Sequence, residues 1–101
     1  MGKFVKAAKK ADLSVGAGMV VQVEGKEIAL FNKEGSFYAI DNSCSHQGGP
    51  LGEGYLEEST VTCPWHGWEY DVTTGVCRTN PAAHQAQYKV KVEGEDILIE
   101  V

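Results

Sequence analysis

Four side chains able to hold a soft metal ion fall in two short segments of this chain. Cys44 and His46 lie in "CSHQGG" (44–49), and Cys63 and His66 lie in "CPWHGW" (63–68). With only three cysteines and three histidines in 101 residues, most of this chemistry is gathered in one place. Cys-x-His and Cys-x-x-His can each aim a thiolate and an imidazole at one point. Two such loops brought together make a four-ligand site. Gly48, Gly49 and Gly67 follow the ligand pairs. Without a Cβ, such positions let the backbone fold closely enough for amides to face an anionic sulfur. Pro50, Pro64 and Pro81 stiffen the surrounding segments.

Two metal sites fit this donor set. A structural zinc ion accepts two cysteines and two histidines. Zinc fingers, however, usually draw two cysteines from one knuckle and two histidines from a helix, whereas here each loop offers one of each. The mixed arrangement suits a two-iron cluster, in which each loop gives its cysteine to one iron and its histidine to the other.

The elements that must position these loops read as short strands. "MVVQVEG" (19–25) and "KEIALFN" (26–32) are β-rich runs joined at Glu24-Gly25-Lys26, a hairpin signal. "SFYAI" (36–40) alternates as a third strand. "YKVKVEG" (88–94) reads as one strand and turns at "GED" into "ILIEV" (97–101). Residues 41–80 are rich in Gly, Pro, Asp and Asn, which predicts loops with short strands such as "TVTC" and "WEYD". Only 3–12, "KFVKAAKKAD", has helical propensity, and Phe4 and Val5 could equally pair as an edge strand. These patterns predict an all-β domain, an antiparallel sandwich or small barrel, with one loop-rich insertion.

"CSHQGGPLGEG" and "CPWHGWEYDVTTG" resemble the two cluster-binding loops of Rieske-type ferredoxins, low-potential electron carriers of bacterial oxygenase systems. The resemblance extends to "GSFYAIDN", "NPA" and "YKVKVEGEDILIEV", and so spans nearly the whole chain. It implies a Rieske 2Fe–2S cluster in a single domain. A base β fold of about residues 1–40 and 84–101 would carry a cluster-binding subdomain of about residues 41–83. Cys44 and Cys63 would bind the inner iron, His46 and His66 the outer iron near the surface, and Pro81 would lie in a third loop against the cluster. High-potential Rieske proteins carry a loop disulfide where this chain has Gly49 and Trp65, and a serine where it has Trp68. Ser45 stands where many ferredoxins have proline. Tyr70 alone matches the high-potential group, where a tyrosine hydroxyl donates to a ligand sulfur. The balance places the potential at the low end of the family range.

Other residues read more plainly. Cys77 is expected as a free thiol, His84 as an exposed loop histidine, and Asp71 and Gly75 as turn formers. Trp65 and Trp68 would shield the cluster or form a docking surface. The net charge of −5 argues against nucleic acid, and no stretch is long and apolar enough to span a membrane. Three cysteines without an export signal predict a cytoplasmic chain with no disulfide framework. An oxygen-activating iron would need two further histidines and a carboxylate, and only His84 is left, so the chain is not itself the oxygenase. Two functions survive. One is a monomeric carrier between a flavin reductase and a terminal oxygenase. The other is a permanent small subunit of an assimilatory nitrite reductase or a similar enzyme; a zinc-stabilised binding module is the third and plainest reading.

Overall fold

The computed structural model describes residues 3–43, 49–65, 67–80, 82–83 and 85–101. Among them the chain forms ten strands: β1 (Phe4–Lys9), β2 (Gly18–Val23), β3 (Lys26–Lys33), β4 (Ser36–Asp41), β5 (Tyr55–Glu57), β6 (Thr60–Thr62), β7 (Glu69–Asp71), β8 (Gln87–Tyr88), β9 (Val90–Glu93) and β10 (Asp96–Glu100). Two short 3-10 turns, Lys10–Asp12 and Leu51–Glu53, complete the regular structure.

The strands make three antiparallel sheets, ordered β1-β10-β9, β2-β3-β4-β8 and β5-β6-β7. The four-stranded sheet is the middle layer, and the sequence of β3 shows why. Residues 28–32 are all buried, because both faces of this strand are covered. Ile28 and Leu30 join Ala8, Val21, Ile97 and Ile99 in a core against the β1-β10-β9 sheet. Ala29 and Phe31 join Leu51, Val61, Cys63, Tyr70 and Cys77 in a second core on the opposite face. The second core includes Cys63, and it fixes the β5-β6-β7 sheet to the body of the protein through Phe31, Leu51 and Tyr70.

Two expected segments resolve differently from their sequence pattern. Residues 3–12 form β1 and a 3-10 turn, because Phe4–Lys9 pairs with Asp96–Glu100 along its length. Pairing with a strand outweighs the helical propensity of the Lys- and Ala-rich run. "YKVKVEG" is two strands rather than one. Tyr88 pairs with Ala39 in the middle sheet, whereas Val90 pairs with Ile99 in another. The break falls at Lys89, where the chain leaves one sheet for the next.

Candidate metal centre

Cys63 begins the connection between β6 and β7. The last pair of that ladder is Thr62 with Glu69. Beyond it the Cys63 amide donates to the Trp68 carbonyl at 2.7 Å, and the Gly67 amide donates to the Cys63 carbonyl at 3.1 Å. Gly67 sits at φ +76°, a left-handed conformation that closes the turn without strain in glycine. The described residues of this connection therefore close a tight hairpin loop on a paired base. Cys63 is 2% exposed, which directs its thiol into the protein, while Pro64 and Trp65 are exposed.

Gly49, at the end of the first Cys/His segment, packs directly on this loop. A Cβ built at Gly49 would lie 2.7 Å from Cys63 Sγ and 3.0 Å from Trp65 Cγ. Only a residue without a side chain lets the first loop come this close to the sulfur. The two segments picked out by their spacing meet at Cys63. Cys44, His46 and His66 lie outside the described residues, as do Pro81 and His84.

The remaining single residues fall into place around this contact. Trp65 lies over Gly49 with 59% of its surface exposed, so it covers the loop contact and faces solvent at once. Trp68 is half-buried against the second core. Tyr70 is fully buried in that core and pairs with Val61, two residues before Cys63. Cys77, also fully buried, accepts a hydrogen bond at its Sγ from the Asn80 amide at 3.3 Å. It thus packs beneath the segment leading to Pro81. Asp71 and Gly75 form a turn, with the Gly75 amide donating to the Asp71 carbonyl at 2.7 Å. Burial raises the Asp71 carboxyl. The Thr73 hydroxyl and amide, the Arg78 guanidinium and the Thr74 amide outweigh this and hold it below its ordinary range.

An open cleft of about 460 Å³ lies beside the first loop, lined by Lys26, Glu27, Asp41, Ser43 and Tyr88. The Tyr88 hydroxyl donates to Asp41 Oδ1 at 2.7 Å, and Lys26 lies over the Tyr88 ring. Burial, with the hydrogen bond to Asp41 and its charge, pushes the Tyr88 phenol up to about 12. These groups satisfy one another and brace β4 against β8.

Two residues that spacing alone did not single out also belong to this region. Asn42 and Gln85 are buried side-chain amides that bond backbone groups at the two ends of the first loop, and Asn42 Nδ2 also donates to Glu27 Oε1 at 3.5 Å. Asn42 falls within the "GSFYAIDN" stretch but carries no ligand chemistry. Nothing marks Gln85.

Residues 3–98 match the Rieske [2Fe-2S] domain. The chain belongs to this family. Its Rieske relatives include the ferredoxin component of the naphthalene 1,2-dioxygenase system of Pseudomonas putida, 37% identical over 100 residues and covering 98% of this chain and 96% of the relative. Among solved structures, the Rieske fold matches the ferredoxin of carbazole 1,9a-dioxygenase from Nocardioides aromaticivorans IC177. That likeness has a TM-score of 0.89 at 32% identity and covers 96% of both chains. It also matches a chain from a complex of reduced oxygenase and oxidised ferredoxin in carbazole 1,9a-dioxygenase, with a TM-score of 0.87 at 26% identity, covering 95% of this chain and 91% of that one. A chain described as a nitrite reductase small subunit from Mycobacterium tuberculosis superposes with a TM-score of 0.92 at 21% identity, covering 100% and 96%. That likeness is one of fold alone. The cofactor of the Rieske family is a 2Fe–2S cluster. A buried cysteine on a closed hairpin, with a glycine of the other loop against its sulfur, is a suitable cradle for it.

Proposed function

We propose that this chain is the electron-carrying ferredoxin of a multicomponent oxygenase system, accepting single electrons from a flavin reductase and passing them to a terminal oxygenase. The observation that carries this reading is the full-length likeness to a dioxygenase-system ferredoxin component, combined with two cysteines and two histidines at Rieske spacing. Cys44 and Cys63 would hold one iron and His46 and His66 the other. When bound, the cluster supplies a one-electron couple.

What the protein residues contribute follows from charge and access. An oxidised 2Fe–2S core carries about +2, so four thiolates give about −2 and two thiolates with two neutral imidazoles give about zero. The histidines thereby ease the addition of an electron. Trp65 and Gly67 are exposed where the loops meet, and Ala82 is exposed in the segment after Cys77. Both partners would dock at residues 46–50, 65–68 and 81–83. Among the described residues no helix is long and apolar enough to cross a membrane. The chain acts as a cytoplasmic monomer that shuttles between partners.

Two measurements test this. Size-exclusion chromatography from the native source should give a small monomer; co-elution with a large reductase would support a permanent subunit instead. In a reconstituted system, charge changes at Lys3 or Lys9 should leave the electron-transfer rate unaltered, and Trp65→Ala should lower it. The reverse pattern would move the docking face elsewhere.

A further inference from the structure

Asn32, Asn42 and Gln85 are the buried polar side chains among the described residues, and two of the three meet the ends of the first Cys/His loop. Gln85 Nε2 donates to the Asp41 carbonyl at 2.9 Å and to the Ser43 carbonyl at 2.6 Å, just before Cys44. Asn42 Oδ1 accepts from the Gly52 amide at 2.8 Å, and the Asn42 carbonyl accepts from the Leu51 amide at 2.8 Å. Ser43 and Pro50 form an antiparallel bridge between these two contacts. The loop therefore starts and ends at one pinched base.

The base is also tied to the third loop. The Gln85 amide donates to the Gly75 carbonyl at 2.7 Å, and the Asp41 amide donates to the Ala86 carbonyl at 2.9 Å. Gln85 thus joins the segment that follows Pro81 to the residues that precede Cys44. Buried amides that lose such partners leave backbone carbonyls and amides unsatisfied, which costs more than the hydrogen bond itself contributes.

We infer that Asn42 and Gln85 are positioning residues for the cluster: their buried side-chain amides hold both ends of the segment that carries Cys44 and His46. This rests on the reading that those two residues are ligands. Partners one step behind the ligands set ligand orientation, and their loss typically costs tenfold to a hundredfold in metal retention.

The third buried amide provides the control. Asn32 is 5% exposed, donates from Nδ2 to the Leu13 carbonyl at 2.8 Å and accepts at Oδ1 from the Gly35 amide at 2.9 Å. It has the same chemistry, but its partners lie in other loops. The holoprotein is followed by bleaching of its visible absorbance at a temperature where far-ultraviolet circular dichroism shows it folded, and by the EPR spectrum of the reduced form. Gln85→Leu and Asn42→Leu should bleach about tenfold faster or more and alter the EPR line shape. Asn42 Nδ2 also donates to Glu27 Oε1 at 3.5 Å, so Asn42→Asp is made together with Glu27→Gln, which removes the facing carboxylate; this pair keeps the acceptor for the Gly52 amide and should stay within about twofold of the wild type. Gln85→Glu, nearly isosteric but without the two donors, should behave as Gln85→Leu and covers the case in which leucine prevents folding. Asn32→Ala should lower the melting temperature without changing bleaching or the EPR spectrum. Wild-type bleaching in the Asn42→Leu and Gln85 variants would overturn the inference, as would equally fast bleaching in Asn32→Ala. A wild-type signature that persists in Cys44→Ser would instead remove the ligand assignment, and this inference with it.

Discussion

At Gly49 the absence of one carbon decides how close two loops can come. A methyl group there would meet Cys63 Sγ at 2.7 Å and the Trp65 ring at 3.0 Å, and neither neighbour is the free end of a flexible chain. Gly49→Ala should therefore cost about 1–3 kcal/mol through overpacking and reduce the iron bound per chain. Iron analysis and thermal melting would check both; full iron content with an unchanged melting temperature would show that the loops can part without harm. Tyr88 offers a second test at this scale. Its raised pKa means the folded state favours the protonated phenol. The stabilising contribution is fully present below pH 10 and is lost as pH rises from there through about 12. Ultraviolet titration should show a late phenolate step near 12 that disappears in Tyr88→Phe. The ligand candidates were legible because metal coordination demands particular atom types at close spacing. The amides of Asn42 and Gln85 were not. Asn42 bonds the Gly52 amide and the Glu27 carboxylate, 10 and 15 residues away, and Gln85 bonds backbone carbonyls 42 and 44 residues away, so no local pattern records them.

Hairpins were the most readable elements. Glu24-Gly25 joins β2 to β3, where Val23 pairs with Lys26, as the short polar turn between two apolar runs implies. Less readable were segments whose identity depends on a distant partner. β1 exists because β10 lies beside it, and the division of β8 from β9 reflects two different neighbouring sheets. Both facts depend on contacts across most of the chain. The turn after β7 carries the prediction for this scale. Asp71 accepts hydrogen bonds from the Thr73 amide and hydroxyl and from Arg78, which hold its carboxyl below its ordinary value of 3.8 despite burial. Its contribution is present above pH 3.8 and is lost as pH falls through the lowered folded value. Asp71→Ala should cost about 2 kcal/mol near neutrality, the worth of hydrogen bonds to a charged group. Chemical denaturation at decreasing pH should show the gap to wild type closing in the acid range. A gap that stays constant would mean the turn is held by backbone bonds alone.

For the molecule as a whole, two sheets form a body on which the small β5-β6-β7 sheet, with Cys63 beside it, is packed. Strand β3 of the middle sheet is buried on both faces, and the unbroken apolar run Ile28–Phe31 is the trace of this in the sequence. That body carries the loops as one unit, which suits a carrier whose cofactor must change charge with little rearrangement. The potential belongs to this scale, because it sums ligand charge, hydrogen bonding and burial. Family centres range from about −150 to +300 mV. With glycine and tryptophan at positions 49 and 65, and tryptophan at 68, this protein should lie near the lower end. Tyr70→Phe should lower the potential further if the buried hydroxyl supports a ligand sulfur. Protein-film voltammetry reads both values, and a wild-type potential well above zero would contradict the low-potential assignment. The central claim is that thiolates and imidazoles share one 2Fe–2S cluster. It is tested most directly by pulsed EPR of the reduced protein grown with 15N-histidine. Two strongly coupled histidine nitrogens are predicted, reduced to at most one in His46→Ala or His66→Ala. A reduced cluster with no histidine nitrogen coupling, or a colourless protein holding zinc, would contradict it.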